Sequence, residues 1–152
     1  MLKLILCTIA LVTAAACSPQ QHTIITQDQE LADHVNNFIA EAAKHNVSYM
    51  VPANMIVKKV EMPLGTLGTC TISTSGLTVK LNTIYWKYIS KARQTQVIFH
   101  ELSHCLLNMD HYDTEVDIMN TNENTDFNDE NAQEYIQKLF KRYNTRAAQL
   151  NN

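Results

Sequence analysis

Residues 97–111 read Val-Ile-Phe-His-Glu-Leu-Ser-His-Cys-Leu-Leu-Asn-Met-Asp-His, and the pentapeptide His100-Glu101-Leu102-Ser103-His104 inside them decides how the chain is read. On a helix, two histidines four apart share a face, so both imidazoles can reach one metal ion, and the glutamate between them lies beside a metal-bound water. At about 100° per residue, with His100 at zero, His104 falls near 40° and Glu101 near 100°. Ile98, Phe99, Leu102, Cys105 and Leu106 fall on the opposite side, between roughly 140° and 260°. One side is apolar for burial, and the chemical groups share the other. This spacing predicts a helix over 91–107.

Working outward, the chain of 152 residues is enough for one domain with a core. With 12 basic and 15 acidic side chains it has no basic excess, which argues against nucleic acid as a partner. Met1-Leu2-Lys3 followed by the apolar run to Ala16 is too short to span a bilayer and suits a signal peptide over 1–16. Small residues directly before Cys17 resemble the bacterial lipobox, in which that cysteine is acylated and becomes the new N-terminus. The expectation is an exported bacterial envelope protein, held to the membrane by lipid on Cys17 at the outer membrane or cell surface. Ordinary cleavage, releasing a soluble secreted protein, is the competing reading. Cys70 and Cys105 then form the remaining pair in an oxidising compartment, where a disulfide is expected. It would close a loop of about 36 residues and tie the metal helix to the segment around Cys70.

Residues 17–26 are polar and predict a tether, 27–145 the folded domain and 146–152 a frayed tail. Leu31, Val35, Phe38, Ile39 and Ala42 recur at helical spacing over 27–45, with Thr26 or Asp28 as cap and Asn46 as a left-handed stop. His34 and His45 on that helix, and His22 before it, read as solvated. Three strands are predicted: 56–62 at an edge or half-exposed, then 67–73 and 77–82 joined by a turn at Thr74-Ser75-Gly76. Residues 108–126 form a long Asp- and Asn-rich loop of the kind that is often functional. A last amphipathic helix follows from Asp129, capped by Asn128, with Tyr135, Ile136, Leu139, Phe140 and Tyr143 as its buried stripe. The class is α+β.

A catalytic zinc usually takes three protein ligands, so the two histidines need a third. Cys105 points about 100° away from His104 and is a poor candidate. The segment Leu106 to His111 holds the better ones.

Here the chain resembles the metzincin group of zinc peptidases: H-E-x-x-H, a close following Asp-His pair, and Asp117-Ile118-Met119-Asn120 where that group has its methionine turn. The resemblance implies a single domain with a small twisted sheet packed on an active-site helix, flanked by N-terminal and C-terminal helices. It implies Zn²⁺ as cofactor, peptide or protein as substrate, Glu101 as the catalytic base and Met119 as a floor under the ligands. It would make 77–82 the edge strand that pairs with extended peptide. The family places glycine three residues after the second histidine and the third ligand three further on. Here those positions hold Leu107 and Asp110, so literal counting selects Asp110. The glycine serves to end the helix in the left-handed region, and Asn108 is the next residue suited to that. Moving the break by one moves the ligand to His111, a better zinc donor, and the same longer spacing resembles bacterial metzincin-like lipoproteins. His111 is favoured and Asp110 kept as alternative. Tyr112 or a tyrosine of the last helix is a candidate to stabilise the oxyanion.

The expected protein is a monomeric zinc metalloendopeptidase. Two other readings stand beside it: a zincin whose third ligand is Glu130 or Glu134 on the last helix, and a non-catalytic zinc-binding envelope lipoprotein.

Overall fold

The computed structural model describes residues 23–49, 54–114, 116–121 and 126–150. The signal peptide, Cys17 and His22 lie outside them. The elements run β1 (Thr23–Thr26), α1 (Gln29–Lys44), β2 (Asn54–Val60), β3 (Gly68–Ser73), β4 (Gly76–Asn82), α2 (Thr83–Tyr88), α3 (Lys91–Leu107) and α4 (Ala132–Leu150). This is the expected α+β class, with one sheet packed on α3.

α1 starts where the Asp28 carboxylate accepts from the Leu31 amide, and stops at Asn46, which holds a positive φ of 54°. Both are the residues expected for those jobs. The strands form a sheet in the order β1-β2-β4-β3. β1, β2 and β4 are parallel, and β3 returns antiparallel to β4 through the two-residue turn Thr74-Ser75. Parallel neighbours need a crossover, and α1 supplies the one between β1 and β2.

The sheet and the last helix correct four expectations. β2 is half-exposed, one of the two alternatives expected, but it is not an edge strand: it is hydrogen-bonded to β1 and β4. β4 is not the open edge either, because β2 and β3 flank it; the edge beside α3 is β3. Residues 23–26 are not tether but β1, paired along β2. The expected tail from Arg146 continues as helix to Leu150. Alternation of apolar residues reports a buried face, not how many strands lie alongside, which is why the first two went astray.

The core sits between the sheet and α1, α3 and α4. Phe38, Phe99 and Phe140, one from each helix, meet with ring centroids 5.1, 5.5 and 6.3 Å apart, in the tilted and edge-on arrangements that aromatic quadrupoles favour. Ile136, Leu139 and Phe140 of the predicted α4 stripe are buried, with Tyr135 and Tyr143 half-buried beside them. Asn128 caps the turn that leads into α4 by accepting from the amides of Glu130 and Asn131. α2, which sequence periodicity did not mark, is capped by Asn82 and buries Trp86. His34 is also corrected: it is buried edge-on against Trp86, 5.5 Å between centroids, with Nδ1 3.2 Å from the Thr95 hydroxyl. His45 is half-buried and stacked on Phe140.

Candidate metal centre

α3 begins at Ser90, whose hydroxyl accepts from the Arg93 amide, and packs its apolar side on β3 and β4. His100 and His104 therefore emerge one turn apart on the other side. The helix ends at Asn108, with φ 49° and ψ 42° in the left-handed region, and the Met109 amide returns to the Ser103 carbonyl. Leu107 stays helical, so the break falls one residue later than a glycine at 107 would put it. The chain then doubles back and brings His111 over the other two imidazoles.

The three Nε2 atoms form a nearly equilateral triangle: 3.0 Å between His100 and His104, 3.2 Å between His104 and His111, 3.3 Å between His111 and His100. A tetrahedral ion bonded to imidazole nitrogens at about 2.0–2.1 Å sets those nitrogens about 3.3 Å apart. The opposite ring nitrogens fix the tautomers. His100 Nδ1 lies 2.7 Å from the Ile118 carbonyl, and His104 Nδ1 lies 2.6 Å from the Met109 carbonyl. A carbonyl can only accept, so both Nδ1 atoms carry the proton and both Nε2 lone pairs face the shared point. Bare lone pairs at such separations repel; a cation between them turns the cluster into a favourable one. The donor set and its spacing fit a metal ion. Among the described residues, these three histidines are the one such group.

Asp110, the alternative ligand, points elsewhere. Its side chain is 92% exposed, 3.7 Å from Arg146, while Arg146 also donates to the Asn108 carbonyl. Glu130 and Glu134 are exposed and outside the cluster. Cys105 is bonded to Cys70 in the expected disulfide, Cα atoms 5.6 Å apart, so it is no ligand.

Glu101 is 6% exposed and lies against β3 rather than on the histidine triangle. A Cβ on Gly68 would stand 2.8 Å from both its Cγ and its Oε1, so any larger residue there would make the carboxylate shift. Burial pushes the Glu101 carboxyl up to about 7, opposed by the Cys70 amide that donates to it. Burial also holds His100 down to about 4, and the neighbouring imidazoles push the same way, which keeps its nitrogen available. The disulfide thus joins the two places that matter: Cys70 touches Glu101 and Cys105 follows His104.

Met119 is fully buried in the core, and its carbonyl accepts from the Tyr112 amide. From the same turn, the Ile118 carbonyl accepts from His100 Nδ1. Asp117, 1% exposed, accepts from the Met119 amide and pairs with Arg142 of α4. Arg142 also covers the Tyr112 ring, its guanidinium carbon 4.0 Å from the centroid, and the Tyr143 hydroxyl donates to the Ser48 carbonyl.

Sequence reasoning missed Gly68, Arg142 and the two carbonyls that orient the imidazoles. Only Gly68 left a signal, since glycine inside a strand often marks close approach of another group. Comparison of the chain with protein families, with curated proteins and with solved structures finds no match.

Proposed function

We propose that the protein is a zinc-dependent peptidase of the metzincin-like kind, with His100, His104 and His111 as ligands and Glu101 as general base. The observation that carries this reading is the pairing of a three-imidazole cluster with a buried carboxylate that has no place in it. A purely structural metal site has no use for that carboxylate, and its burial is unfavourable unless it serves something else.

Zinc bound by the three histidines would supply a Lewis-acidic centre that makes a water nucleophilic near neutral pH and polarises the scissile carbonyl. Glu101, one residue from His100 and raised toward neutrality, takes the proton of the attacking water and passes it to the departing amine. His100 and His104 keep their orientation through Ile118 and Met109. The Cys70 amide holds the Glu101 carboxylate at the sheet edge. β3 has one ladder side unpaired among the described residues, so an extended peptide can add to it as a strand.

The setting we propose is the bacterial envelope, with lipid on Cys17; the Cys70–Cys105 bond agrees with an oxidising compartment. Mass spectrometry of the mature N-terminus decides it, and an unmodified Cys17 would remove the anchor.

The test of the activity is purified protein loaded with zinc, assayed on casein and on a mixed peptide library, beside Glu101→Gln. The expected result is one bound zinc in both proteins, hydrolysis by the first and a loss of about 10²–10⁴-fold in the second. Full zinc loading without hydrolysis in either would leave a non-catalytic zinc-binding protein.

A further inference from the structure

Along β2 and β4 the buried residues Met55, Val57, Val79 and Leu81 alternate with residues that point away from the helices. On that outer face the register sets Ile25 beside Ile56, 54% and 38% exposed, and Ile56 beside Thr78. One step further along, Lys58 stands directly opposite Lys80. Neighbouring strands lie about 4.8 Å apart, and like charges placed directly opposite are destabilising. Lys59, on the helical side, pairs with Asp28 and Glu30. Lys58 and Lys80 have no anionic partner among the described residues. The four strands contain no Asp or Glu, in a chain with 15 acidic and 12 basic side chains. This face therefore reverses the sign of the whole protein. Beyond Lys80, Asn82 is buried under the 62–66 segment, to whose carbonyls it donates.

We propose that this sheet face docks on an anionic phospholipid surface, with Lys58 and Lys80 on headgroup phosphates and Ile25 and Ile56 against the lipid beside them. This rests on the reading of Cys17 as a lipid anchor. Six residues separate Cys17 from Thr23 at the start of β1, a reach of at most about 20 Å. Thr23 is level with Asn54, and Lys58 lies four residues further along, about 13 Å. A lipid on Cys17 thus holds this face within reach of the bilayer, and a tethered contact needs little affinity of its own. Near an anionic leaflet each lysine favours the docked orientation about fivefold. Their half-buried stems lie along the sheet while the ammonium groups reach outward, and the Thr69 hydroxyl beside Lys80 adds a donor. Because α3 packs on the opposite face of the sheet, the docked domain turns its three histidines away from the lipid, toward peptides in the aqueous phase.

The test uses the mature chain from Cys17, coupled through that thiol to a maleimide lipid, so that the tether is the same whether or not the cysteine is acylated in the cell. Cys70 and Cys105 are bonded to each other and do not compete. The protein is held on vesicles of phosphatidylcholine, alone or mixed with phosphatidylglycerol, and treated with an amine-acetylating reagent. In the mixed vesicles Lys58 and Lys80 are expected to react at least about fivefold more slowly than in phosphatidylcholine. Lys87, Lys91 and Lys141, exposed on the helices, should react equally in both. Salt at about 1 M, where charges are screened beyond about 3 Å, should abolish the protection. Hydroxyl-radical oxidation then reads Ile25 and Ile56, which should be shielded in the mixed vesicles. That shielding should disappear in the double variant Lys58→Gln, Lys80→Gln, whose fold loses only a repulsion. Equal reaction of Lys58 and Lys80 in the two lipids overturns the proposal, as does protection that needs no anionic lipid. So does protection that fades as the protein is diluted on the vesicle, which would mean that a second copy covers the face. Mass spectrometry of Cys17 in the protein from its own cells judges the anchor separately: an unmodified cysteine removes the anchor and leaves the result on the coupled chain standing.

Discussion

The buried carboxylate of Asp117 is paired with the guanidinium of Arg142, and that ion pair ties α4 to the turn that orients His100. Asp117 also accepts from the Met119 amide, so the Ile118 carbonyl between them is held where the His100 Nδ1 proton needs it. Arg142→Met would leave Asp117 buried without its cation, which costs about 3–5 kcal/mol for pairs of this kind. The expected outcome is a lower melting temperature together with zinc affinity weakened about 10–100-fold, as for other residues that orient metal ligands. Chelator competition and a thermal scan on the same variant check both. An unchanged zinc affinity in a destabilised variant would separate the ion pair from the site.

Gly68→Ala addresses Glu101 without touching any ligand. The added methyl would have to displace the carboxylate, since both its Cγ and Oε1 stand 2.8 Å from the new Cβ. Zinc content should stay at wild type while turnover falls by about tenfold or more, because a misplaced base loses much of its contribution. Parallel zinc analysis and peptidase assays measure this, and equal turnover in the two proteins would mean that the Glu101 position is not critical.

A pH effect is expected away from the site, at His34. Burial lowers its pKa; Gln94, Glu30 and Asp33 oppose this, and Lys91 adds to it. A folded value below the unfolded one, about 6.5, means that stability from the neutral ring is present above that pH and lost as pH falls below it. Chemical unfolding at pH 8 and pH 5 should show wild type losing more stability on acidification than His34→Gln. Equal losses would place His34 outside the acid response.

How much of this was legible follows from the range of the interactions. His100, Glu101 and His104 stand out because one helical turn sets their relation, and His111 because Asn108 carries a backbone preference visible in one residue. Cys70 and Cys105 were paired by elimination. The β2 and β4 positions were misread because sheet order is decided between segments distant in sequence. The carbonyls of Ile118 and Met109 leave no trace in side-chain identity at all. His34 could have been placed: it falls at helical spacing within the Leu31, Val35, Phe38 stripe, and its polarity led it to be read as solvated.

The central claim is the three-histidine metal centre, and the zinc-edge X-ray absorption spectrum of the loaded wild-type protein tests it most directly. The account predicts three imidazoles with nitrogen at about 2.0–2.1 Å, one further oxygen, and the multiple-scattering features of rigidly held rings. A first shell with two imidazoles and a protein carboxylate, or with sulfur, would contradict it.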